Sequence, residues 1–134
     1  MPVVNAETIS VADSGDIVAV RHAVRRHAVS INLSLVDQTK IVTAASELAR
    51  NMVLYGGGGE VTLELLEVEV RRGLRVQFTD SGPGIPDIDL AMRDGFTTGS
   101  GMGLGLGGAK RLVNEFKIES APGKGTSVTI IRWR

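Results

Sequence analysis

Gly99-Ser-Gly-Met-Gly-Leu-Gly-Leu-Gly-Gly108 decides how this chain is read: six of its ten residues are glycine, and an apolar helical pattern follows at once. Glycine lets backbone adopt positive φ and approach a partner closely. A glycine run that opens a helix can gather free N–H groups and the positive end of the helix dipole around a phosphate. The same composition also suits a flexible surface loop. Gly103, Gly105 and Gly108 formally satisfy G-x-G-x-x-G, but the run follows a polar loop rather than a strand. Too little chain remains after it for further βαβ units, which excludes a dinucleotide fold. A Walker A loop and a protein-kinase H-R-D set are absent.

Composition narrows the class. The chain has 134 residues, 43% apolar, with 15 basic and 15 acidic side chains and no cysteine. One globular domain over residues 1–134 is expected. The charge balance argues against a general nucleic-acid binder, and the missing cysteines exclude disulfides and thiolate metal sites. No signal-peptide pattern and no membrane-length apolar run is present, so a soluble, cytoplasmic protein is expected.

Outward from the glycine run, the periodicities predict an edge strand over 3–11 and a helix over about 15–31, capped by Asp13 or Ser14. The inner face of this helix is Ile17, Val20, Val24, Ala28 and Ile31. A second helix starts near Ser34 or Asp37 and ends at Tyr55 before Gly56-Gly57-Gly58-Gly59. Residues 60–70 read as a strand whose apolar phase flips at Leu65-Leu66, which suggests a bulge there. Arg71-Arg72-Gly73 reads as a hairpin turn, followed by a strand with Leu74, Val76 and Phe78 inward. Residues 83–102 form a long loop with one short helical piece, a length that usually marks function. A third helix spans about 104–115, and strands at 117–121 and 126–133 flank the turn at 121–125. This order predicts a two-layer α/β sandwich, a mixed and mostly antiparallel sheet with helices packed on one face.

Two further features carry chemistry. Asp80 continues the inward phase of Leu74, Val76 and Phe78, and Ser81-Gly82-Pro83-Gly84 then breaks the strand. A carboxylate there can accept a hydrogen bond from an exocyclic amine such as that of adenine; alone, it is equally a turn cap. Glu47 and Asn51 stand four residues apart on one helix face. Together they can serve a hard cation and a proton transfer; in isolation they are an ordinary solvated pair. Arg50 could pair with Glu47 or with a phosphate, and a plain surface arginine fits as well. His22 reads as solvated and His27 as half-buried packing.

In order, Glu47-Leu-Ala-Arg-Asn51, Asp80-Ser-Gly-Pro-Gly84, Gly101-Met-Gly-Leu-Gly-Leu106 and Gly125-Thr126 resemble the ATP site of the GHKL (Bergerat-fold) superfamily. That superfamily includes gyrase, MutL, histidine kinases and the chaperone Hsp90. Gly-Pro-Gly-Ile-Pro-Asp at 82–87, Asp-Gly-Phe at 94–96 and Lys-Arg-Leu at 110–112 are similar to the small serine kinases of bacterial partner switching, of the RsbT type. The chain is little more than the ATP module, as in those kinases.

The resemblance implies roles. Asp80 would read the adenine amine, with Thr126 assisting through water and Gly82 and Gly84 flooring the base. Asn51 would ligate Mg²⁺. Gly101, Gly103, Leu104 and Gly105 would wrap the phosphates of ATP, and residues 85–100 would form a lid. Glu47 would be the catalytic base for a serine or threonine hydroxyl. The implied partners are STAS-domain proteins of a stressosome, an RsbS-like antagonist and an RsbR-like co-antagonist, and an RsbU-like PP2C-type phosphatase activated by the released kinase. An anti-sigma-factor kinase or binding module that sequesters a sigma factor is the alternative, and a stand-alone ATPase is a third.

Overall fold

The computed structural model describes residues 3–93 and 105–134. Its elements are β1 (Val3–Val11), α1 (Ser14–Ser30), α2 (Leu35–Tyr55), β2 (Gly59–Val68), β3 (Arg71–Asp80), α3 (Ile88–Ala91), α4 (Gly105–Arg111), β4 (Glu115–Ser120) and β5 (Thr126–Trp133). The five strands form one sheet in the order β1-β2-β3-β5-β4. All four ladders are antiparallel, so the expected antiparallel character holds but the sheet is not mixed: two helices between β1 and β2 return the chain in the opposite direction. Val61, Leu63, Leu65, Leu74, Val76, Phe78, Val128 and Ile130 project from one face into a single core with Val20, Val24, Ile41, Ala45, Leu48 and Met52 of the helices. The two-layer sandwich therefore follows from strand alternation meeting two amphipathic helices.

Local chemistry places the helix ends. Asp13 caps α1, its carboxylate accepting from the N–H groups of Gly15 and Asp16, while Asp16 returns a bond to the Asp13 N–H. This reciprocal pair satisfies donors that the first turn would leave free. Ser34 caps α2 by accepting from Asp37 N–H at 3.1 Å. At its far end the Gly58 N–H returns to Met52 O at 3.0 Å, with Gly57 at φ 75° and Gly58 at φ 94°. Asp87 caps the short α3 through Leu90 N–H.

Three local expectations are corrected. The hairpin turn lies at Glu69-Val70, not at Arg71–Gly73, because Val68 pairs with Arg71 and Glu69 takes φ 57°. Gly73 belongs to β3, where a Cβ would meet the Trp133 ring at 2.6 Å. The bulge falls in β1, between Val3 and Asn5, opposite Leu66 and Leu65; the β2–β3 ladder runs unbroken through both leucines. The phase flip has another cause. Leu65 faces the core, while Leu66 is buried on the outer face, where Ile131 is also covered and Arg71 stacks on Trp133 at 4.4 Å. Finally, α4 ends at Arg111 and Phe116 lies on β4, because the Asn114 N–H bonds to Ile131 O and starts the last hairpin there.

Elsewhere the outer face is polar, with Glu64 and Arg75 paired at 2.8 Å, as suits an antiparallel sheet with one wet side. Beneath α1, Glu7 of β1 accepts from His27 Nε2 at 2.9 Å and from Arg26. Among the described residues, no helix is long and apolar enough to cross a membrane.

Two outcomes test this packing. Leu63→Ala, at a fully buried position, should cost about 2–5 kcal/mol in denaturant unfolding, while Val70→Ala at 96% exposure should stay within about 0.5 kcal/mol. The His27 hydrogen bond, reinforced by Arg26, holds the Glu7 carboxyl below its ordinary 4.5 despite the opposing effect of burial. The folded state therefore favours the ionised form. The stability it contributes is complete above the unfolded value and is lost as pH falls through the lowered folded value. Glu7→Gln should flatten the acid side of a stability–pH curve below 4.5 and leave neutral pH without a slope change.

Candidate nucleotide site

The site grows from the end of β3 and one face of α2. Asp80 is the last residue of β3, and its Oδ1 accepts from Gly82 N–H at 2.9 Å and from Thr126 N–H at 3.3 Å. Two backbone donors thus orient the carboxylate. Its Oδ2 lies against Gly56 at the C-cap of α2, where a Cβ would stand 2.5 Å away. Gly82 in turn sits on Gly56, its own Cβ position 2.7 Å from Gly56 Cα. Gly125, at φ 75°, would place a Cβ 2.2 Å from Asp80 O. The end of α2, the end of β3 and the start of β5 converge on Asp80 only because these positions lack side chains.

Behind this corner, Ser120 accepts from Ile85 N–H at 2.8 Å, donates to Gly125 O at 3.0 Å and lies 2.8 Å from the Thr126 hydroxyl. Gly84, at φ 78°, lies on Ala121 O, where a Cβ would be 2.0 Å away. The loop after β3 is therefore pinned to the β4–β5 turn.

Along α2, Glu47 is 8% exposed. Its Oε1 accepts from Gly105 N–H at 3.1 Å, at the start of α4. Its Oε2 faces Arg50 Nη1 at 3.9 Å. Asn51 follows one turn later on the same face. These groups share one cavity of about 470 Å³, walled by Leu48, Met52, Phe78, Ile85, Leu90, Leu106 and Val128, with Glu47, Arg50, Asn51, Tyr55, Asp80, Asp87 and Thr126 as its polar side chains and Gly84 and Gly105 in its lining. Gly56, which contacts Asp80, and Glu47 are nine residues apart on α2, so the two carboxylates stand on the order of 13 Å apart along its axis. The cavity is apolar between them, a shape suited to a flat apolar body carrying a polar tail.

The structure thus brings together Glu47, Asn51, Asp80, Gly84, Gly105 and Thr126. Gly82 supports the site from behind, by its N–H bond to Asp80 and its contact with Gly56. Gly101, Gly103 and Leu104, with the Asp94–Phe96 segment and most of the glycine run, lie outside the described residues. Sequence reasoning missed Gly56, which it read only as a helix stop, and Ser120, whose hydroxyl joins three segments. The four-glycine run after α2 was a signal for the first; no local pattern marks the second.

This combination of fold and cavity has a known class. The chain belongs to the family of histidine kinase-, DNA gyrase B- and HSP90-like ATPases, whose model matches residues 36–134. Within it, the chain is a serine/threonine-protein kinase of the RsbT type. It is 47% identical over 118 residues to serine/threonine-protein kinase RsbT of Bacillus subtilis, covering 88% of this chain and 89% of that relative. It is 27% identical over 117 residues to an anti-sigma F factor of a Thermoanaerobacter species, covering 84% of this chain and 82% of the other. The crystal structure of the RsbU and RsbW domains of a Mycobacterium tuberculosis protein shares the fold with a TM-score of 0.63 at 21% identity, over 97% of this chain and 33% of that one.

Gly125→Ala tests the convergence on Asp80. It should lower thermal stability by about 1–2 kcal/mol from backbone strain alone, and more from the clash with Asp80 O. Asp80→Asn, which keeps the shape, should leave the melting temperature nearly unchanged while fluorescent-nucleotide titration shows ATP affinity reduced at least about tenfold.

Proposed function

We propose that the chain is an ATP- and Mg²⁺-dependent kinase of a bacterial partner-switching, stressosome-type pathway, phosphorylating a serine or threonine of STAS-domain proteins. The observation that carries this reading is a single cavity with Asp80 at one end, Glu47 at the other and apolar walls between. Asp80 Oδ2 accepts the adenine amine while Oδ1 stays with its two backbone donors. The base lies between the Met52, Phe78 and Val128 side. The triphosphate runs along α2 toward Glu47 and the start of α4.

Asn51 is the side chain to hold Mg²⁺. Among the described residues no group of three or more acidic, histidine or cysteine side chains forms a metal cage, and one amide oxygen beside phosphates and water suits this ion. When bound, it neutralises charge on the phosphates. Glu47 takes the hydroxyl proton of the protein substrate as the oxygen attacks the γ-phosphorus, and ADP leaves. A phosphate added to a packed interface brings nearly two charges and breaks it by desolvation and repulsion. That supports release of the kinase from RsbS-like and RsbR-like partners in a cytoplasmic switch, after which it engages an RsbU-like PP2C-type phosphatase.

Incubation with γ-labelled ATP and a purified RsbS-type STAS protein is the test. Label should move to a serine or threonine, and Glu47→Ala should lower the rate at least about a hundredfold with ATP still bound; Asn51→Ala should make transfer insensitive to added Mg²⁺. Likeness to anti-sigma F factors supports a second reading. Stable capture of a sigma factor, with no label on any STAS protein, would establish that reading instead.

A further inference from the structure

We propose that Arg50 is a positioning residue for Glu47, supplying counter-charge to the carboxylate without occupying the oxygen that receives the proton. The proposal rests on the kinase reading of the same cavity. The Glu47 side chain is 10% exposed, and among the described residues its one ion pair is with Arg50, whose own side chain is 32% exposed. A carboxylate so far removed from water is costly unless paired.

The two oxygens are treated differently. Oε1 is taken by the Gly105 N–H at 3.1 Å, a bond that fixes the plane of the carboxylate. Oε2 faces Arg50 Nη1 at 3.9 Å, beyond hydrogen-bond range but within the reach of Coulomb attraction. Oε2 therefore keeps its lone pairs beside a fixed positive charge. In the transfer step the hydroxyl O–H breaks and its proton goes to Oε2. The hydroxyl oxygen forms the new bond to the γ-phosphorus. The bond from that phosphorus to the β–γ bridging oxygen breaks, and its electron pair leaves on ADP. Arginine suits the supporting place because it is always charged and its planar fork can face one oxygen edge-on from the next turn of the helix.

The test is a double-mutant cycle on the full chain, Arg50→Met, Arg50→Lys, Glu47→Gln and Glu47→Gln with Arg50→Met, read in three ways. In label transfer from ATP to water and to an RsbS-type STAS protein, Arg50→Met should lower kcat about tenfold or more, with KM for ATP within about twofold. Arg50→Lys should recover most of the loss, and the double variant should be no slower than Glu47→Gln alone. In nucleotide binding, Arg50→Met should change ATP and ADP affinities equally. In thermal unfolding, Arg50→Met should lower the melting temperature, and Glu47→Gln should restore it by removing the unpaired charge, even if Arg50→Met alone fails to fold. Additive rates, a loss for ATP much larger than for ADP, or absence of coupling in unfolding would overturn the proposal. Failure of wild-type protein to label the STAS protein overturns the proposed acceptor instead; the unfolding cycle needs no acceptor and still decides on Arg50.

Discussion

The close approach of backbone to backbone around Asp80 is the constraint on which the rest of the site depends. A strand end, a helix end and a turn from distant parts of the sequence meet where Gly56, Gly82 and Gly125 each leave less than 3 Å for a Cβ. The meeting fixes the height of α2 over the sheet, since its last turn rests on the carboxylate. It thereby sets where Glu47 and Asn51 stand. The same α2 carries Ile41, Ala45, Leu48 and Met52 in the core. One helix face is spent on stability and the adjoining face lines the cavity, and the register between them follows from 3.6 residues per turn.

Much of this was legible from residues alone. The Glu47/Asn51 spacing, the inward phase of Asp80 and the capped amphipathic helices depend on local periodicity, which the chain cannot disguise. What escaped was set by partners distant in sequence. Gly73 resembled a turn residue because nothing near it shows that Trp133, sixty residues on, needs the space above it. Leu66 resembled a bulge signal because its covering lies across the sheet on β5. Phe116 continued a helical pattern, yet pairing of Asn114 with Ile131 started a strand there, a case of tertiary bonding overriding local preference. Ser120 carried no local mark, and its hydroxyl acquires three neighbours only when β4, β5 and the post-β3 loop are assembled.

The two sheet edges differ in chemistry. β4 carries Glu115, Lys117 and Glu119 on its outer face, charges that discourage pairing with another chain. β1 has only Glu7, drawn inward by His27 and Arg26, and its guard is instead the bulge between Val3 and Asn5. Charge at one edge and irregular backbone at the other achieve the same protection, while the middle of the inner face stays apolar beneath the helices.

α4 is an element that does not hold itself. Gly105, Gly107 and Gly108 occupy three of its seven positions; Gly105 takes φ 72°, where glycine is favoured, while at Gly107 and Gly108 glycine costs about 1 kcal/mol relative to alanine. Seven residues are also too few for a helix to hold itself. Its order comes from outside: Leu106 and Ala109 are buried in the core, and the Gly105 N–H is met by the Glu47 carboxylate. Its glycines are buried, and the shortness of the helix makes its conformation depend on what that face of α2 presents. A segment held mainly by tertiary contacts belongs to the less stable part of a fold, from which ligand-responsive elements are drawn. The Gly105 N–H bond to Glu47 is thus a buried link between α4 and the cavity-lining face of α2.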